Sequence, residues 1–339
     1  RDWSSDVCSS DLLYDNYLYI TSTNETIKNH MDSLAKFLFN LKGSQCSVLE
    51  IGSNDGLFLS SLKNNNIFNF CGVEPVKWMV DLANSKKLKT VQGFWPEVSK
   101  KFKKKSFDII IGQNVFAHIQ NPLKALLKIN KILKDDGFAI LQTSQCDMVF
   151  NGEFDTIYHE HVSFFCENSI KELCKRAGMK LLHTHYLDIH GNSSLYILIK
   201  DNNFIDKNII FSAIHNSKLS FSKTNNNYKN LLRVKRSIKD WEIFVKKINQ
   251  KKIEIQKIIF EFKKNFYNIV AVGAAAKGIT FLKYFNIPVD LILDESSLKI
   301  NKFVPELNVF IKNFTNISHN DFYIITAWNF SNEISRNLI

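Results

Sequence analysis

The sequence lacks the segments that would place a protein in a membrane or export it. No stretch approaches the roughly 20 consecutive apolar residues that a membrane-spanning helix requires. The first residues also lack a basic region followed by an apolar run, which is the pattern of a secretory signal. The sequence therefore predicts a cytoplasmic protein with no membrane partner.

Paired cysteines are also missing. The six cysteines contain no C-x-x-C pair and show no framework spacing; they are Cys8, Cys46, Cys71, Cys146, Cys166 and Cys174. Such spacing argues against a disulfide framework and against a zinc site within these residues. We expect reduced thiols, most of them buried.

A concentrated basic surface is missing too. The 44 Lys and Arg residues exceed the 33 Asp and Glu residues, and the net charge of +11 raises the question of a nucleic-acid or membrane partner. The lysines, however, are spread through segments rich in Asn and Ile, without interleaved aromatic residues that could stack on bases. This distribution argues against nucleic acid, and an anionic small substrate fits the charge.

The chain is long enough for two domains of ordinary size. The chain has 339 residues, of which 45% are hydrophobic and 23% charged, as in globular proteins. Residues 1–12 resemble a translated sequencing adapter and are excluded as a non-native segment. Residues 13–40 are an N-terminal segment that enters the first domain.

Strands alternate with helical patterns over residues 41–200. Apolar runs predict strands, and a helical pattern separates the last two of them; the strands are 47–51, 70–73, 107–111 and 137–142, and the helix is 123–133. This alternation predicts a doubly wound α/β domain with a parallel sheet and right-handed crossovers.

The composition changes after residue 200. Residues 201–262 are rich in Asn and Lys, and apolar residues at helical spacing predict a helical connector; they are Leu231, Val234, Ile238, Trp241, Val245 and Ile248. A second, smaller α/β domain is predicted over residues 263–339, with strands at 269–273, 289–293 and 322–327. Because so few strands make a small parallel sheet, we expect the chain to be incomplete at both ends.

The first functional motif is a strand followed by a glycine turn that opens a helix. It runs Glu50-Ile51-Gly52-Ser53-Asn54-Asp55-Gly56, and Glu74 ends the next strand. Gly52 lets the backbone approach a ligand closely, and the carboxylate of Glu74 can accept both hydroxyls of a ribose. Because Asn54 occupies the middle glycine position of a dinucleotide fingerprint, the motif favours S-adenosylmethionine over NAD. The alternative is an ordinary strand-to-helix turn.

Polar residues also follow the strand that starts at residue 107. Gln113 and Asn114 stand at its carboxyl end, where ligands of open parallel sheets bind, so we expect both beside the cofactor. His118 could reach a reacting centre or could be a hydrogen-bonded structural residue.

The cluster Tyr158-His159-Glu160-His161 follows the fourth strand. Two histidines flanking a glutamate suggest a metal site, but their i, i+2 spacing would turn them to different faces of a helix. A general base is the better interpretation, because histidine titrates near neutral pH and a neighbouring carboxylate can select its tautomer. A purely structural role stays open, and no metal is predicted.

A second glycine turn runs from Gly273 to Gly278 and contains Lys277. Asp294 follows at a spacing close to the dinucleotide pattern, but Ala275 replaces the middle glycine. An NAD site, a role in binding a substrate nucleotide and a purely architectural role all remain open.

Together, these motifs resemble the sugar C-methyltransferases, which add a branch methyl group to nucleotide-linked 4-keto-deoxysugars. The resemblance extends from Leu13 onward and rests on the order of the motifs, which include residues 14–19, 50–56, 113–118, 158–164, 190–193, 273–278, 294–299 and 327–330. It implies a class I, Rossmann-like methyltransferase domain with a C-terminal domain that helps to hold the nucleotide sugar.

The resemblance also implies residue roles. His161 would remove the proton from C3 of the sugar, with Tyr158, Glu160 and His118 lining the site and Tyr17 or Tyr19 closing it. The implied cofactor-binding residues are Glu50, Gly52, Asn54, Asp55, Gly56, Glu74, Gln113 and Asn114. The implied substrate-binding residues are Tyr19, His159, His190, Lys277 and Lys299.

The sequence departs from the family pattern at three places. The family's cysteine-rich N-terminal domain, where zinc would be expected, is not found in these residues. The arginine expected shortly after His190 is absent, and Glu306 replaces the usual glycine after Pro305. Two other functions stay open, namely O- or N-methylation of another small molecule and a dinucleotide-dependent sugar enzyme.

Overall fold

The computed structural model describes residues 20–21, 25–144, 148–187, 189, 193–219, 237–265, 267–314, 321–328, 331 and 334–335. The α-helices among them are α1 (Glu25–Lys42), α2 (Leu57–Asn64), α3 (Lys77–Ser85), α4 (Pro122–Ile132), α5 (Met148–Asn151), α6 (Glu167–Arg176), α7 (Lys207–Ser217), α8 (Ile238–Lys264) and α9 (Ala276–Phe285). None of these described helices has the length and apolar content needed to cross a bilayer.

The strands form two sheets. They are β1 (Val48–Ile51), β2 (Phe70–Glu74), β3 (Thr90–Gln92), β4 (Phe107–Gln113), β5 (Leu133–Ser144), β6 (Met179–Leu187), β7 (Ser193–Lys200), β8 (Asn268–Val272), β9 (Leu291–Leu293), β10 (Phe303–Val304), β11 (Val309–Lys312) and β12 (Asp321–Ile325). Short 3₁₀ helices lie at Glu97–Lys101, Phe116–His118 and Phe154–Thr156.

The contacts divide the chain into two compact units. The first unit consists of the described residues within Arg1–Gln145 and Val162–Arg233, and the second of those within Cys146–His161 and Val234–Ile339. The segment that carries Tyr158 and His161 therefore belongs, by its contacts, to the unit built mainly from the C-terminal part of the chain.

The first unit contains a seven-stranded sheet in the order β3-β2-β1-β4-β5-β7-β6. The strands from β3 to β5 are parallel, whereas β7 runs antiparallel to both of its neighbours. This arrangement confirms the predicted doubly wound α/β domain but corrects the expectation of a purely parallel sheet. The edge is antiparallel because β6 and β7 follow each other directly and pair as neighbours.

Apolar strands and one face of each helix build the core of this unit. Ile110 and Leu141 on adjacent strands belong to the same buried cluster as Leu126 and Ile129 of α4. Helix α4 begins where the Asn121 side chain accepts a hydrogen bond from the Lys124 amide, with proline in the first turn. The carboxyl ends of β1 and β4 are thereby fixed above a packed interior.

The second unit contains a five-stranded sheet in the order β10-β11-β9-β8-β12. The four strands from β11 to β12 are parallel, and β8 is buried from its second residue onward. This confirms the second, smaller α/β unit.

Helix α8 differs from the predicted connector helix. It begins at Ile238 after a capping box between Ser237 and Asp240, and Leu231 and Val234 lie outside the described residues. Ile238 and Val245, expected on the packed face, are 80% and 51% exposed. The helix instead buries Phe244, Ile248 and Ile259, so its packed face is rotated from the one that the spacing predicts.

The four cysteines within the described ranges are free thiols. Cys46, Cys71 and Cys174 are buried, and Cys166 is half-buried. Burial raises the pKa of the Cys174 thiol to about 12, so this group stays protonated at neutral pH.

Candidate active site

The first group of predicted site residues lies at the carboxyl ends of β1 and β4. The strand order reverses between these two strands, and open α/β sheets bind their ligands at that point. Gly52 follows β1 with a φ of +74°, and a Cβ there would lie 3.2 Å from the Val115 side chain. Glycine therefore allows both the left-handed turn and the close approach of the chain to Val115.

Glu74 holds this turn together from the end of β2. One carboxylate oxygen accepts the Asn54 amide at 2.9 Å, and the other accepts the Val76 amide at 3.0 Å. Burial raises the pKa of Glu74 to about 7, and the nearby charge of Asp55 adds to the increase. Each oxygen retains acceptor capacity, so Glu74 can still receive hydroxyl groups of a ligand.

The Asn54 side chain shapes the same turn. Its oxygen accepts the amides of Thr21, at 3.1 Å, and of Asp55, at 2.9 Å. Asn54 itself has a φ of +49°, a conformation that asparagine tolerates better than most residues. Its oxygen therefore supports the loop in addition to any contact with a cofactor.

Glu50 and Gln113 meet across β1 and β4. The Gln113 amide nitrogen donates to a Glu50 carboxylate oxygen at 3.2 Å. Burial raises the pKa of Glu50 well above its usual value, and the charges of Glu74 and Asp55 act in the same direction. Three carboxyl groups thus lie in a poorly hydrated part of the fold, where a positively charged ligand would be stabilised.

Several buried polar atoms here have no hydrogen-bond partner among the described residues. They are one oxygen of Glu50, the Ser53 hydroxyl, both oxygens of Asp55, the Gln113 carbonyl oxygen and the Asn114 side-chain oxygen. Buried polar atoms in folded proteins are nearly always paired, so this cluster of acceptors indicates a ligand rich in donors. S-adenosylmethionine fits, because it carries an ammonium group, two ribose hydroxyls and an adenine amino group.

His118 belongs to the first unit as well. It ends the 3₁₀ helix that follows β4, is half-buried, and donates its backbone amide to Val115. Its role at the site stays a prediction. Tyr17, Tyr19 and His190 lie outside the described residues.

Tyr158 and His161 form a hydrogen-bonded pair in the second unit. The Tyr158 hydroxyl lies 3.0 Å from His161 Nε2, and the Thr156 carbonyl oxygen lies 3.0 Å from His161 Nδ1. A carbonyl oxygen can only accept, so Nδ1 must carry the proton. In the neutral imidazole, Nε2 is then the basic nitrogen and accepts the hydrogen of the Tyr158 hydroxyl.

The neighbouring glutamate is not what selects this tautomer. Glu160 lies 4.0 Å from His159, whose side chain is 63% exposed, and the acceptor at Nδ1 of His161 is the backbone of Thr156. The expectation that a carboxylate orients the histidine is therefore wrong in this detail. Within the described residues, no group of three His, Cys, Asp or Glu side chains could hold a metal ion.

Lys277 lies at the start of α9, in an aromatic and acidic environment. Its ammonium nitrogen is 5.6 Å from the centroid of the Trp328 ring, and the Trp328 indole nitrogen donates to Asp155 at 2.7 Å. Burial lowers the pKa of Lys277, while the charges of Asp155 and Glu153 oppose that change. Sequence reasoning missed Asp155 because no motif marks it, whereas Trp328 stood in a family motif without an assigned role.

Lys299 binds a carboxylate of its own unit. Its ammonium group lies 3.2 Å from Asp294, which also accepts the amides of Ala274 at 2.7 Å and Ser296 at 2.8 Å. Both oxygens of Asp294 are thus already hydrogen-bonded within the protein. Lys299 therefore has a partner within the protein. Its contact with substrate stays a prediction.

Two family models match the chain. Residues 24–184 match a methyltransferase domain, and residues 232–338 match the C-methyltransferase C-terminal domain. The N-terminal half of the chain is thus similar to methyltransferase domains, and its C-terminal third is similar to the C-terminal domain of C-methyltransferases. These matches confirm the predicted resemblance to the sugar C-methyltransferases, the Rossmann-like methyltransferase fold and S-adenosylmethionine as the cofactor.

One curated member of the C-methyltransferase family is similar over part of its length. The C-methyltransferase NovU of Streptomyces niveus is 28% identical over 193 residues, which cover 55% of this chain and 46% of the relative. The chain thus matches about half the length of this relative.

Two solved structures are similar to about half of the chain. A putative methyltransferase in complex with the Haloferax volcanii Trm112 activator is 15% identical with a TM-score of 0.44, covering 52% of this chain and 92% of that one. The PH0226 protein of Pyrococcus horikoshii is 16% identical with a TM-score of 0.44, covering 54% and 94%.

Proposed function

We propose that this C-methyltransferase adds a methyl group to C3 of a nucleotide-linked 4-keto-deoxysugar. His161 acts as the general base that removes the C3 proton. The product is a sugar with a branch methyl group, formed without an oxidant or a reductant. The net charge of +11 is compatible with an anionic nucleotide-linked substrate.

The observation that carries the proposal is the hydrogen bonding of His161. With Nδ1 donating to the Thr156 carbonyl, the lone pair of Nε2 is directed away from the backbone and toward the Tyr158 hydroxyl. Nε2 already serves as a hydrogen-bond acceptor, which is the property that a general base needs. A histidine held in the Nδ1–H tautomer need not change tautomer before it accepts a proton at Nε2.

The proton balance of the reaction is simple. The C3–H bond breaks, the Tyr158 hydroxyl hydrogen turns away from Nε2, the proton moves to the Nε2 lone pair, and the electron pair enters the bond between C3 and C4 while charge develops on the 4-keto oxygen. The resulting imidazolium keeps its Nδ1 hydrogen bond to Thr156, so the charged form is stabilised by the same carbonyl. General acid-base assistance of this type contributes about 10²- to 10⁴-fold to rate.

Residues of the first unit are proposed to bind the cofactor. Gly52 would admit it close to the backbone, Glu74 would accept ribose hydroxyls, and the unpaired oxygens of Asp55 and Asn114 would accept its donors. When bound, S-adenosylmethionine supplies an electrophilic methyl group on a positively charged sulfur. A positive ligand beside Glu50 would stabilise the charged form of this group, which burial disfavours.

The test uses the purified protein in deuterated water with nucleotide-linked 4-keto sugars. With S-adenosylmethionine we expect a methyl group at C3, and without it we expect deuterium to enter at C3, both read by mass spectrometry and NMR. His161→Gln should reduce both reactions by about 10²-fold or more, because the base is lost. It should still bind S-adenosylmethionine in equilibrium titrations.

His215→Gln is the matched control, since His215 is exposed on α7 and the substitution is chemically the same. Methylation of an oxygen or nitrogen with every substrate C–H retained would contradict the proposal. So would full activity of His161→Gln. Saturable binding of NAD without binding of S-adenosylmethionine would favour a dinucleotide-dependent enzyme instead.

A further inference from the structure

The turn that carries His161 is anchored in the second unit by an aromatic side chain. The Phe154 ring lies 4.9 Å from Tyr284 and 5.0 Å from Phe285 of α9, measured between ring centroids. The 3₁₀ helix Phe154–Thr156 therefore begins at a residue whose side chain is packed. Aromatic contacts of this kind hold a ring in place but do not orient the following peptide groups by themselves.

Asp155, the next residue, makes a directional contact. Its side chain is 4% exposed and accepts the Trp328 indole N–H at 2.7 Å. Because the acceptor is a carboxylate, this is a charge-assisted hydrogen bond, which is stronger than a neutral one. Lys277 lies over the same indole ring and adds positive charge beside the carboxylate.

The chain before Trp328 is in turn hydrogen-bonded to the end of β8. The amides of Thr326 and Ala327 donate to the Val272 carbonyl at 3.0 and 3.2 Å, and the Thr326 hydroxyl donates to the Gly273 carbonyl at 2.6 Å. The chain just before Trp328 is therefore fixed to the end of β8. The indole N–H starts from a backbone with little freedom to move.

We propose that Asp155 is a positioning residue: by accepting the Trp328 indole N–H, it fixes the adjacent Thr156 carbonyl that holds His161 in its Nδ1–H tautomer. The inference rests on the proposed role of His161 as the base. The end of the β8–β12 pair is thereby linked to the basic nitrogen. The links are the hydrogen bond between Trp328 and Asp155, the backbone from Asp155 to Thr156, and the His161 imidazole.

The physical reason is the direction of the Thr156 carbonyl. Asp155 and Thr156 are consecutive, so a rotation of the backbone at Asp155 turns the carbonyl away from Nδ1. The imidazole then loses the acceptor that selects its tautomer, and the Nε2–H form becomes populated. In that form Nε2 cannot accept a proton, and catalysis falls with the population of the correct tautomer.

The first test reads the tautomer directly and needs no substrate. In protein labelled with ¹⁵N histidine, the ring nitrogen shifts of His161, assigned with His161→Gln, should show protonated Nδ1 in the wild type. Trp328→Phe removes the donor but keeps an aromatic ring, and we expect a mixture of tautomers. Asp155→Leu should give the same mixture, whereas Asp155→Asn, which keeps an acceptor oxygen, should restore the wild-type shifts.

Trp241→Phe is the matched control, because Trp241 and Trp328 are both 36% exposed and belong to the same unit. It should leave the His161 shifts unchanged. Thermal unfolding of each variant identifies any loss of folding. Wild-type His161 shifts in folded Trp328→Phe and Asp155→Leu would overturn the inference, whatever the protein methylates.

The second test measures deuterium exchange at C3 of the 4-keto sugar. Trp328→Phe and Asp155→Leu should each lower kcat for exchange by about 10- to 100-fold with KM changed less than about twofold, because a base is displaced while binding is retained. The double variant should be no slower than either single variant. A rise in KM alone would overturn the positioning role, whereas no exchange by the wild type on any keto sugar would reject the proposed function and leave the tautomer test standing.

Discussion

At the scale of single residues, burial determines the pKa of a carboxyl group in the first unit. Glu74 lies 4% exposed at the end of β2 and still accepts two backbone amides. The amides favour its charged form, but loss of hydration outweighs them and raises its pKa to about 7. A residue selected by its position in a motif therefore carries a property, a near-neutral pKa, that follows only from its surroundings.

This pKa predicts a pH dependence of stability in the absence of cofactor. Between pH 4.5 and 7 the folded chain holds a proton on Glu74 that the unfolded chain releases, so the free energy of unfolding falls as the pH rises. Glu74→Gln removes this contribution. We expect the free energy of unfolding of the variant, relative to that of the wild type, to rise by about 1 kcal/mol per pH unit in that interval. Denaturant unfolding measures this difference.

Glu261→Gln is the control, since Glu261 is exposed on α8. It should follow the wild type at every pH. If the free energy of unfolding of Glu74→Gln and that of the wild type changed with pH in parallel, the raised pKa of Glu74 would be contradicted.

At the scale of elements, the two units use the same local arrangement twice. In each, a buried strand runs into a turn at a glycine with positive φ, and an acidic residue at the end of the neighbouring strand accepts an amide of that turn. The acids are Glu74 in the first unit and Asp294 in the second. They differ in charge environment, because Lys299 pairs with Asp294, whereas Glu74 lies near Asp55.

The glycine of the second turn predicts a loss of stability when a side chain is added. Gly273 has a φ of +103°, and a Cβ there would lie 2.6 Å from the Ala327 Cβ. Gly273→Ala should therefore lower the free energy of unfolding of the second unit by about 3 kcal/mol, combining backbone strain with overpacking. Denaturant unfolding followed by tryptophan fluorescence measures this change.

Gly152→Ala separates the two contributions. Gly152 also has a positive φ, +75°, but a Cβ there would meet only Ile248 at 3.8 Å. Backbone strain alone should cost about 1 kcal/mol. Equal losses for the two variants would mean that the contact with Ala327 relaxes without cost.

At the scale of the whole molecule, chain order and contacts divide the protein differently. The methyltransferase match runs through residues 24–184, yet the described residues within Cys146–His161 pack with the second unit. The proposed base is therefore held by one unit, and the proposed cofactor-binding residues by the other. The chain crosses between the units more than once, so neither unit is a continuous stretch of sequence.

This division predicts where S-adenosylmethionine stabilises the protein. At about 100 times its Kd the cofactor should raise the free energy of unfolding of the first unit by about 2.7 kcal/mol. Amide hydrogen exchange should slow most in residues 50–56 and 113–114, next to the unpaired acceptors. Asp55→Asn should weaken both effects, whereas Asp81→Asn, an exposed position on α3, should retain them. Protection confined to the second unit would contradict the assignment.

Part of the fold could be predicted because short apolar runs end at glycine or at a charged residue. Strands β1, β2, β4 and β8 follow this pattern and occur within one or two residues of their predicted bounds. Strand β7 also fits this pattern, because the apolar run at residues 195–199 ends at Lys200, but it was not predicted. The packed face of α8 was also missed, since several faces of that helix carry apolar residues.

The sequence by itself determined the alternation of strands and helices, the glycine turn before α2, the acid at the end of β2 and the order of motifs that carries the resemblance to the C-methyltransferases. These features are local, because a turn that needs a positive φ or a strand that needs an apolar run leaves its mark on neighbouring residues. Only the tertiary structure decided that the Thr156 carbonyl orients His161, that Asp155 receives the Trp328 indole N–H, and that Glu74 has a pKa of about 7. Those properties depend on groups brought together from distant parts of the chain and on the loss of water around them, neither of which residue spacing records.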